Sequence, residues 1–465
     1  MNNQPKFFDA IIVGSGQGGN PLALALANKG WQVALVERAH VGGSCINYGC
    51  TPTKTMIASA RIAHLINRAQ DYGIDSATGS VNFSKVLKRK NDMVKSFRDG
   101  SRKKLISTSG VSLIEGNARF VAEKLLEIDL SNGGKEIIKS EYIIIDTGTS
   151  PAKPPIPGID LVDALDSTSI MEIDQIPEHL LIIGGGYVGL EFGQMFHRFG
   201  SKVTIIQRNE QLLPLEDRDI AEEITEILKQ EGLEILLKAN TTKIDAPAKD
   251  QIVLSVEVDK NEQTIKGSHL LVATGRAPNT SFLNPEATGI TLNKKGFIPV
   301  NDHLKTTVPG IFVIGDVKGG PAFTHVSYDD HQILLKNILE EGDATISGRI
   351  LPYVVFIDPQ LGRIGMNEKQ ARDQGYDYGV AKIPMSWVAR AIETDETKGL
   401  MKAIIDHKTK QILGAAILGV EGGELMAALQ IAMLGKLPYT ALRDGMFAHP
   451  TLSESFNTLF GTVDK

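Results

Sequence analysis

The chain has 465 residues, of which 42% are hydrophobic and 22% charged, and it carries a formal net charge of −6. That length asks for more than one domain, three on our reading, and the acidic balance excludes a basic nucleic-acid binder. No apolar run approaches the ~20 residues needed to cross a bilayer, and the first hydrophobic run, from Ala10, reads as a core strand with no signal peptide ahead of it. A cytoplasmic protein without a membrane partner is expected.

The first element is the apolar strand Ala10-Ile-Ile-Val13, followed by the turn Gly14-Ser15-Gly16-Gln17-Gly18-Gly19, a helix and a second strand ending at Val36-Glu37. A G-x-G-x-x-G turn between strand and helix lets backbone approach a pyrophosphate that rests on the helix N-terminus. An acid at the end of the second strand accepts from a ribose diol, as suits FAD or NAD.

The only two cysteines come next, five apart in Gly42-Gly43-Ser44-Cys45-Ile46-Asn47-Tyr48-Gly49-Cys50-Thr51-Pro52-Thr53-Lys54. A structural zinc site takes four ligands and a catalytic one three, and this segment offers no second pair and no His. A structural bridge closing so short a loop adds little to a long chain, so a redox pair is favoured. On a regular helix the two Cα atoms would lie ~8.6 Å apart, whereas a disulfide needs less than about 7 Å. The bond therefore requires a distorted first turn, for which Gly42, Gly43 and Gly49 provide the freedom, and Pro52 suits the helix that follows.

Further along, Lys85-Val-Leu-Lys-Arg-Lys90 through Arg102-Lys-Lys104 alternates basic and apolar residues at helical spacing and reads as a solvated helix face. Ile143-Ile-Ile-Asp146-Thr147-Gly148 is a strand and turn where the chain would leave the first nucleotide domain. Pro151, Pro154, Pro155 and Pro157 stiffen the linker after it.

The opening pattern then returns 170 positions later. Leu180 to Ile183 is followed by Gly184, Gly186 and Gly189, then by Val203 to Ile206 and Gln207-Arg208. One such turn is weak evidence, but two in register over about thirty residues predict two dinucleotide sites. Gln207 in place of an acid removes the repulsion against a 2′-phosphate, and Arg208 can pair with it, which favours NADPH. Arg38 at the matching place in the first copy, and Gly189, more usual for NAD, pull towards NADH. Leu270-Leu-Val-Ala273-Thr274-Gly275-Arg276 closes the second copy, and Gly310-Ile-Phe-Val-Ile-Gly315-Asp316 gives another buried strand ending on an acid. After about residue 345 short alternating strands, such as Met401-Lys-Ala-Ile-Ile and Ile412-Leu-Gly-Ala-Ala-Ile-Leu-Gly, mix with helices and read as a third domain.

The Gly-Gly-x-Cys-x4-Cys-x-Pro-x-Lys run from Gly42 to Lys54, Ala273-Thr-Gly-Arg-x-Pro-Asn279, Gly315-Asp316 and His449-Pro450-Thr-Leu-Ser-Glu454 together resemble the class I pyridine nucleotide-disulfide oxidoreductases, the family of dihydrolipoamide dehydrogenase, glutathione reductase and mercuric reductase. The resemblance implies an α/β fold: two Rossmann-like dinucleotide-binding domains, for FAD and NAD(P), plus a C-terminal α+β dimerisation domain. The implied division is residues 1–150 for FAD, 151–276 for NAD(P), 277–345 completing the FAD domain and 346–465 for dimerisation in an obligate homodimer.

The resemblance also implies roles. Cys45 would be the interchange thiol that attacks substrate and Cys50 the charge-transfer thiol against the flavin. Lys54 would approach flavin N5 and pair with Glu191, and Tyr187 would cover the flavin until the nicotinamide arrives. Asp316 would hold the ribityl chain, and the stretch Ala322 to His325, with Thr324, would begin a helix aimed at the flavin's pyrimidine edge. Gly43, Ser44, Ala118, Thr147 and Gly148 would complete the FAD site, and Gly275 and Arg276 the NAD(P) site. His449, five before Glu454, would have its tautomer fixed by that carboxylate and would reach the other subunit's cysteines as base and acid. No metal cofactor is implied.

The electron acceptor is expected to be a small-molecule disulfide or a metal ion. Gly16-Gln-Gly-Gly-Asn-Pro-Leu-Ala, the Cys-Thr-Pro-Thr-Lys wording and Val355-Phe-Ile-Asp-Pro-Gln-Leu-Gly-Arg363 look most like a mercuric-reductase-like bacterial subgroup, which lies near flavoproteins associated with reactive-chlorine resistance and copper reduction. Against Hg(II) stand the absence of the extra C-terminal Cys pair of true mercuric reductases and the retention of His449-Pro450, since soft thiolates are the ligands such a metal requires. Two alternatives stay open. Dihydrolipoamide dehydrogenase shares the His-Pro-Thr-Leu-Ser-Glu form, and a flavin-bearing redox sensor would need none of Lys54, Glu191, His449 and Glu454 as a set.

Overall fold

The computed structural model describes residues 4–75, 79–248 and 251–463. The outermost residues of the first and last expected domains, 1–3 and 464–465, lie outside the described residues. The chain forms two compact units, one comprising residues 1–56, 84–152 and 275–349, the other 57–83, 153–274 and 350–465.

In the first unit an eight-stranded sheet runs in the order Lys6–Phe7, Lys135–Lys139, Leu125–Leu130, Val111–Ala122, Val33–Glu37, Ala10–Val13, Tyr142–Ile145 and Ile311–Val313. The last five strands in that order are mutually parallel. The last four of these are almost continuously apolar because both faces are covered. Ile11, Val13, Ile143 and Ile145 enter one core, and Ala10, Ile12 and Ile144 enter the other with Leu22 and Leu26 of the helix Gly19–Ala27.

The helix Phe83–Ser107 carries the basic stretch. Lys85, Lys88, Arg89 and Arg102 to Lys104 are exposed as expected, but Lys90 is only 1% exposed. It falls on the stripe of Phe83, Val94 and Leu105, all buried, where a lysine stem packs as an apolar side chain. The reading of a wholly solvated face fails at that position.

The second unit contains a four-stranded parallel sheet, Glu234–Leu236, Lys202–Ile206, His179–Ile183 and His269–Val272, and a three-stranded antiparallel sheet, Ala239–Ala248, Gln251–Val258 and Asn261–Gly267. It also contains a five-stranded antiparallel sheet in the order Pro352–Val355, Gln360–Gly365, Ile412–Gly419, Leu400–Asp406 and Tyr378–Pro384.

A largely buried charge network ties elements of this unit together. Arg198 pairs with Glu231 and, at 2.6 Å, with Asp358, while Arg61 and His64 approach the same carboxylates at 3.9 Å. Burial opposes ionisation of Asp358, but the Arg198 charge and hydrogen bond, reinforced by Arg61, hold its carboxyl below the usual range. A depressed carboxyl adds stability that is complete above the ordinary carboxylate range and is lost as pH falls through the lowered folded value. Arg198→Met should therefore cost about 3–5 kcal/mol near neutral pH, because it strands two buried carboxylates, and the deficit should shrink in acid. Urea unfolding at neutral and at acidic pH checks this, and a deficit that does not change with pH would contradict it.

Candidate functional site: a cysteine pair and two glycine turns

The two glycine turns fold alike. Gly14 accepts a positive φ of 106° and its N–H donates to the Val36 carbonyl at 2.8 Å; Gly184, at 114°, donates to Ile206 at 2.9 Å. The next parallel strand closes each turn, through Asp146 N–H to Val13 and Ala273 N–H to Ile183, both at 2.8 Å. Gly186 caps the helix Tyr187–Phe199, and Gly189 lies in its first turn.

The strand-end residues also correspond. Glu37 accepts from the Ser15 N–H at 3.0 Å and its hydroxyl at 2.7 Å. Gln207 takes the equivalent place with Oε1 accepting from Gly185 N–H at 3.3 Å, and its Nε2 donates to the Gln211 carbonyl at 3.1 Å. Arg208 beside it is exposed.

In the first unit the cradle fits an adenine dinucleotide such as FAD. A Cβ on Gly16 would lie 2.6 Å from Asp146 Oδ2, so only glycine leaves backbone bare there. Thr147 Oγ1 and Asn20 Oδ1 are buried without a hydrogen-bond partner among the described residues, which is costly unless a ligand supplies one. Asp146 was visible in the sequence only as a strand end. Its buried carboxyl accepts the Gly19 N–H at 2.8 Å and fixes the turn. Burial pushes that carboxyl well above the usual range, with the Gly19 bond pulling back.

The cysteine segment docks on this same turn. Gly42 N–H donates to the Ser15 carbonyl at 3.0 Å, and Gln17 Nε2 donates to the Gly42 carbonyl at 3.1 Å. Gly43 packs so close that a Cβ would sit 2.9 Å from Gly16 Cα. One short helix, Gly43–Asn47, holds Ser44 and Cys45; it breaks at Tyr48-Gly49, and a second, Cys50–Asn67, begins on the other cysteine. That break is the distortion the spacing demanded.

The cysteines are thiols here, Cys45 half-buried and Cys50 exposed. Cys50 Sγ lies 3.4 Å from the Thr324 hydroxyl. The hydrogen bond that the Cys45 thiol donates to the Cys50 sulfur, then burial, then the Cys50 charge push the Cys45 thiol up, and Thr324 and Lys54 pull it down without prevailing. Thr324 opens the helix Thr324–Leu339 just after Ala322, and His325 stacks on Phe323 with centroids 5.3 Å apart. Asp316 accepts from Thr149 Oγ1 at 2.9 Å.

Ala118 is buried in the first unit's apolar core, so its side chain serves packing. Gly148 has a φ of 65°, and Gly275 and Arg276 belong to the first unit. Lys54 lies in the first unit and Glu191 in the second, where the Glu191 carboxylate accepts the Phe356 N–H at 2.9 Å. His449 is exposed, its Nδ1 2.9 Å from Glu454 Oε2. The spacing of five does bring imidazole and carboxylate together.

Two family models cover nearly all of the chain: pyridine nucleotide-disulphide oxidoreductase over residues 8–330, and its dimerisation domain over residues 351–460. The chain belongs to the pyridine nucleotide-disulphide oxidoreductase family. Among relatives, a probable pyridine nucleotide-disulfide oxidoreductase, RclA of Escherichia coli (strain K12), is 39% identical over 98% of this chain and 99% of its own length. A mercuric reductase of Staphylococcus aureus is 35% identical over 100% of this chain and 84% of its own length. A solved Cu(II) complex of the HOCl-induced flavoprotein disulfide reductase RclA from Escherichia coli superposes with a TM-score of 0.89, at 38% identity, covering 98% of this chain and 99% of that one. The chain is thus an FAD-dependent oxidoreductase of mixed α/β fold that uses NAD(P)H, and its dimerisation domain supports a homodimer. Among the described residues no helix is long and apolar enough to cross a membrane.

Proposed function

We propose that this enzyme passes two electrons from NADPH through the Cys45–Cys50 pair to a disulfide or metal-ion acceptor. The observation that carries this reading is the cysteine pair, on either side of a helix break, seated on the first glycine turn. Bound FAD supplies the two-electron relay between nicotinamide and cysteines. Gly14, Gly16, Gly19 and Glu37 would hold its adenine half and Asp316 its ribityl chain, with Lys54 at the reactive end. Cys45 meets the acceptor, Cys50 faces the flavin, and His449, oriented by Glu454, serves Cys45 of the other subunit as base and acid.

A metal acceptor draws support from the relatives, one a mercuric reductase and one solved with Cu(II), and from the soft-ligand character of a thiolate pair. The runner-up is lipoamide, favoured by the His449–Glu454 pair. A steady-state panel decides among them, with NADH and NADPH each tried against lipoamide, glutathione disulfide, Hg(II), Cu(II) and quinones. Dominance of lipoamide with NAD would overturn the proposal, and the absence of turnover with every acceptor would point to a sensor.

The reductant choice rests on Gln207 and Arg208. Gln207 is held on the glycine turn and carries no charge to repel a 2′-phosphate, while Arg208 beside it is exposed. Arg208→Ala should lower kcat/KM for NADPH about tenfold, the worth of one charge-assisted hydrogen bond, and leave NADH unchanged. A parallel loss with both nucleotides would remove Arg208 from the specificity reading.

A further inference from the structure

The run Gly275 to Asn279 re-enters the first unit and turns its polar side chains onto the segment by which the chain left it. Strand Arg276–Pro278 pairs antiparallel with Thr149–Pro151. Asn279 Nδ2 donates to the Thr147 carbonyl at 2.9 Å, and its Oδ1 accepts from Ser150 Oγ at 2.8 Å. Arg276 Nη2 donates to the Thr149 carbonyl at 2.6 Å, and Nε to Thr149 Oγ1 at 2.7 Å. Thr149 is buried, and its Oγ1 lies 2.9 Å from Asp316 Oδ2.

The direction of this chain is fixed by chemistry. A guanidinium nitrogen only donates, so the Thr149 oxygen accepts from Arg276, and the single hydroxyl proton goes to the Asp316 carboxylate. A hydroxyl polarised by a cation is the stronger donor. Asp316 sits in a single 3₁₀ turn, Gly315–Lys318, whose Val317 is buried in the apolar core. From the other side the Gly315 N–H donates to Asp330 Oδ2 at 2.8 Å, and Asp330 is itself held by Lys318 at 2.8 Å and Arg349 at 2.6 Å. The backbone of the turn is thus pinned by Asp330, and the Asp316 side chain by Thr149.

We propose that Thr149, with Arg276 behind it, is a positioning residue that holds the Asp316 carboxylate in one orientation for the ribityl hydroxyls of FAD. The inference rests on the role given above to Asp316. Strand pairing and the Nη2 bond to the Thr149 carbonyl would suffice to staple the two segments, so the hydroxyl relay is free for this second task.

The test is the rate at which the full-length holoenzyme releases FAD, followed as free-flavin fluorescence. Thr149→Val keeps the side-chain shape and the carbonyl but removes the relay, and it should speed release about tenfold, the scale of one hydrogen bond to a charged group. Thr149→Ser should restore release to within about threefold of the original, and the thermal midpoint in saturating FAD should be the same for all three proteins. Should the valine variant lose that midpoint, Arg276→Met decides the matter, because it removes the first donor while leaving Thr149 in place: faster release is expected, and unchanged release overturns the relay. Thr149→Val releasing FAD at the original rate while Asp316→Asn speeds release also overturns the relay, but leaves the Asp316 assignment standing. Unchanged release from Asp316→Asn refutes that assignment and the inference with it.

Discussion

Replacing His449 with glutamine should lower turnover of a disulfide acceptor by about 10²- to 10⁴-fold, the usual worth of a general acid–base group, while NAD(P)H still reduces the bound flavin at the original rate. Nδ1 faces the Glu454 carboxylate at 2.9 Å, so the neutral ring keeps its proton there and presents Nε2 as the base. The need for that base is set by Cys45. Its thiol is pushed up by Cys50 and by burial, and Thr324 and Lys54 do not compensate. Only the thiolate attacks a disulfide, so Cys45 depends on a proton acceptor beyond these neighbours. Glu454→Gln should be milder, since it loosens the imidazole without removing it. Rapid mixing with NAD(P)H, followed by a second mixing with the acceptor, separates the two half-reactions. Equal loss in both would refute the assigned role of His449.

What the sequence revealed, and what it hid, divides by distance along the chain. The glycine turns, the broken helix between Cys45 and Cys50 and the His449–Glu454 contact are local, and spacing alone carried them. The 170-residue repeat extended that reach, because each half served as a control on the other. It correctly matched Gln207 with Glu37, but not that the amide would bond Gly185 on one side and Gln211 on the other.

Contacts between residues far apart in sequence left no trace in any window. Asp146 pins a turn that begins more than a hundred residues earlier. Arg198, Glu231 and Asp358 form one network from three separate elements. The same holds for Arg276, Thr149 and Asp316: the motif reading assigned Arg276 to the NAD(P) site and Asp316 to the flavin, and gave Thr149 no role. Lys90 failed for another reason: a basic side chain was counted as solvated by type, although its helical position placed it on the buried stripe.

The cysteines themselves allow the sharpest separation of roles. Cys45→Ser and Cys50→Ser should each reduce disulfide turnover to background, since a two-electron exchange through a disulfide needs both sulfurs, yet they should leave different thiols behind. In Cys50→Ser the largest influence raising Cys45, its hydrogen bond to the partner sulfur, is replaced by a weaker one to a neutral hydroxyl, and the Coulombic push of a second thiolate disappears. Cys45 should then ionise at lower pH and be alkylated by iodoacetamide faster than Cys45 in the reduced parent enzyme. In Cys45→Ser the remaining thiol is exposed and sits beside the Thr324 hydroxyl, so it should be alkylated readily but, on the proposed division of roles, react slowly with a disulfide acceptor. Reduction of Cu(II) should fall with both variants if metal ions take their electrons from the thiol pair. A Cys45→Ser enzyme that still reduced Cu(II) at the original rate would show that the metal draws its electrons from elsewhere, and would confine the cysteine pair to disulfide acceptors.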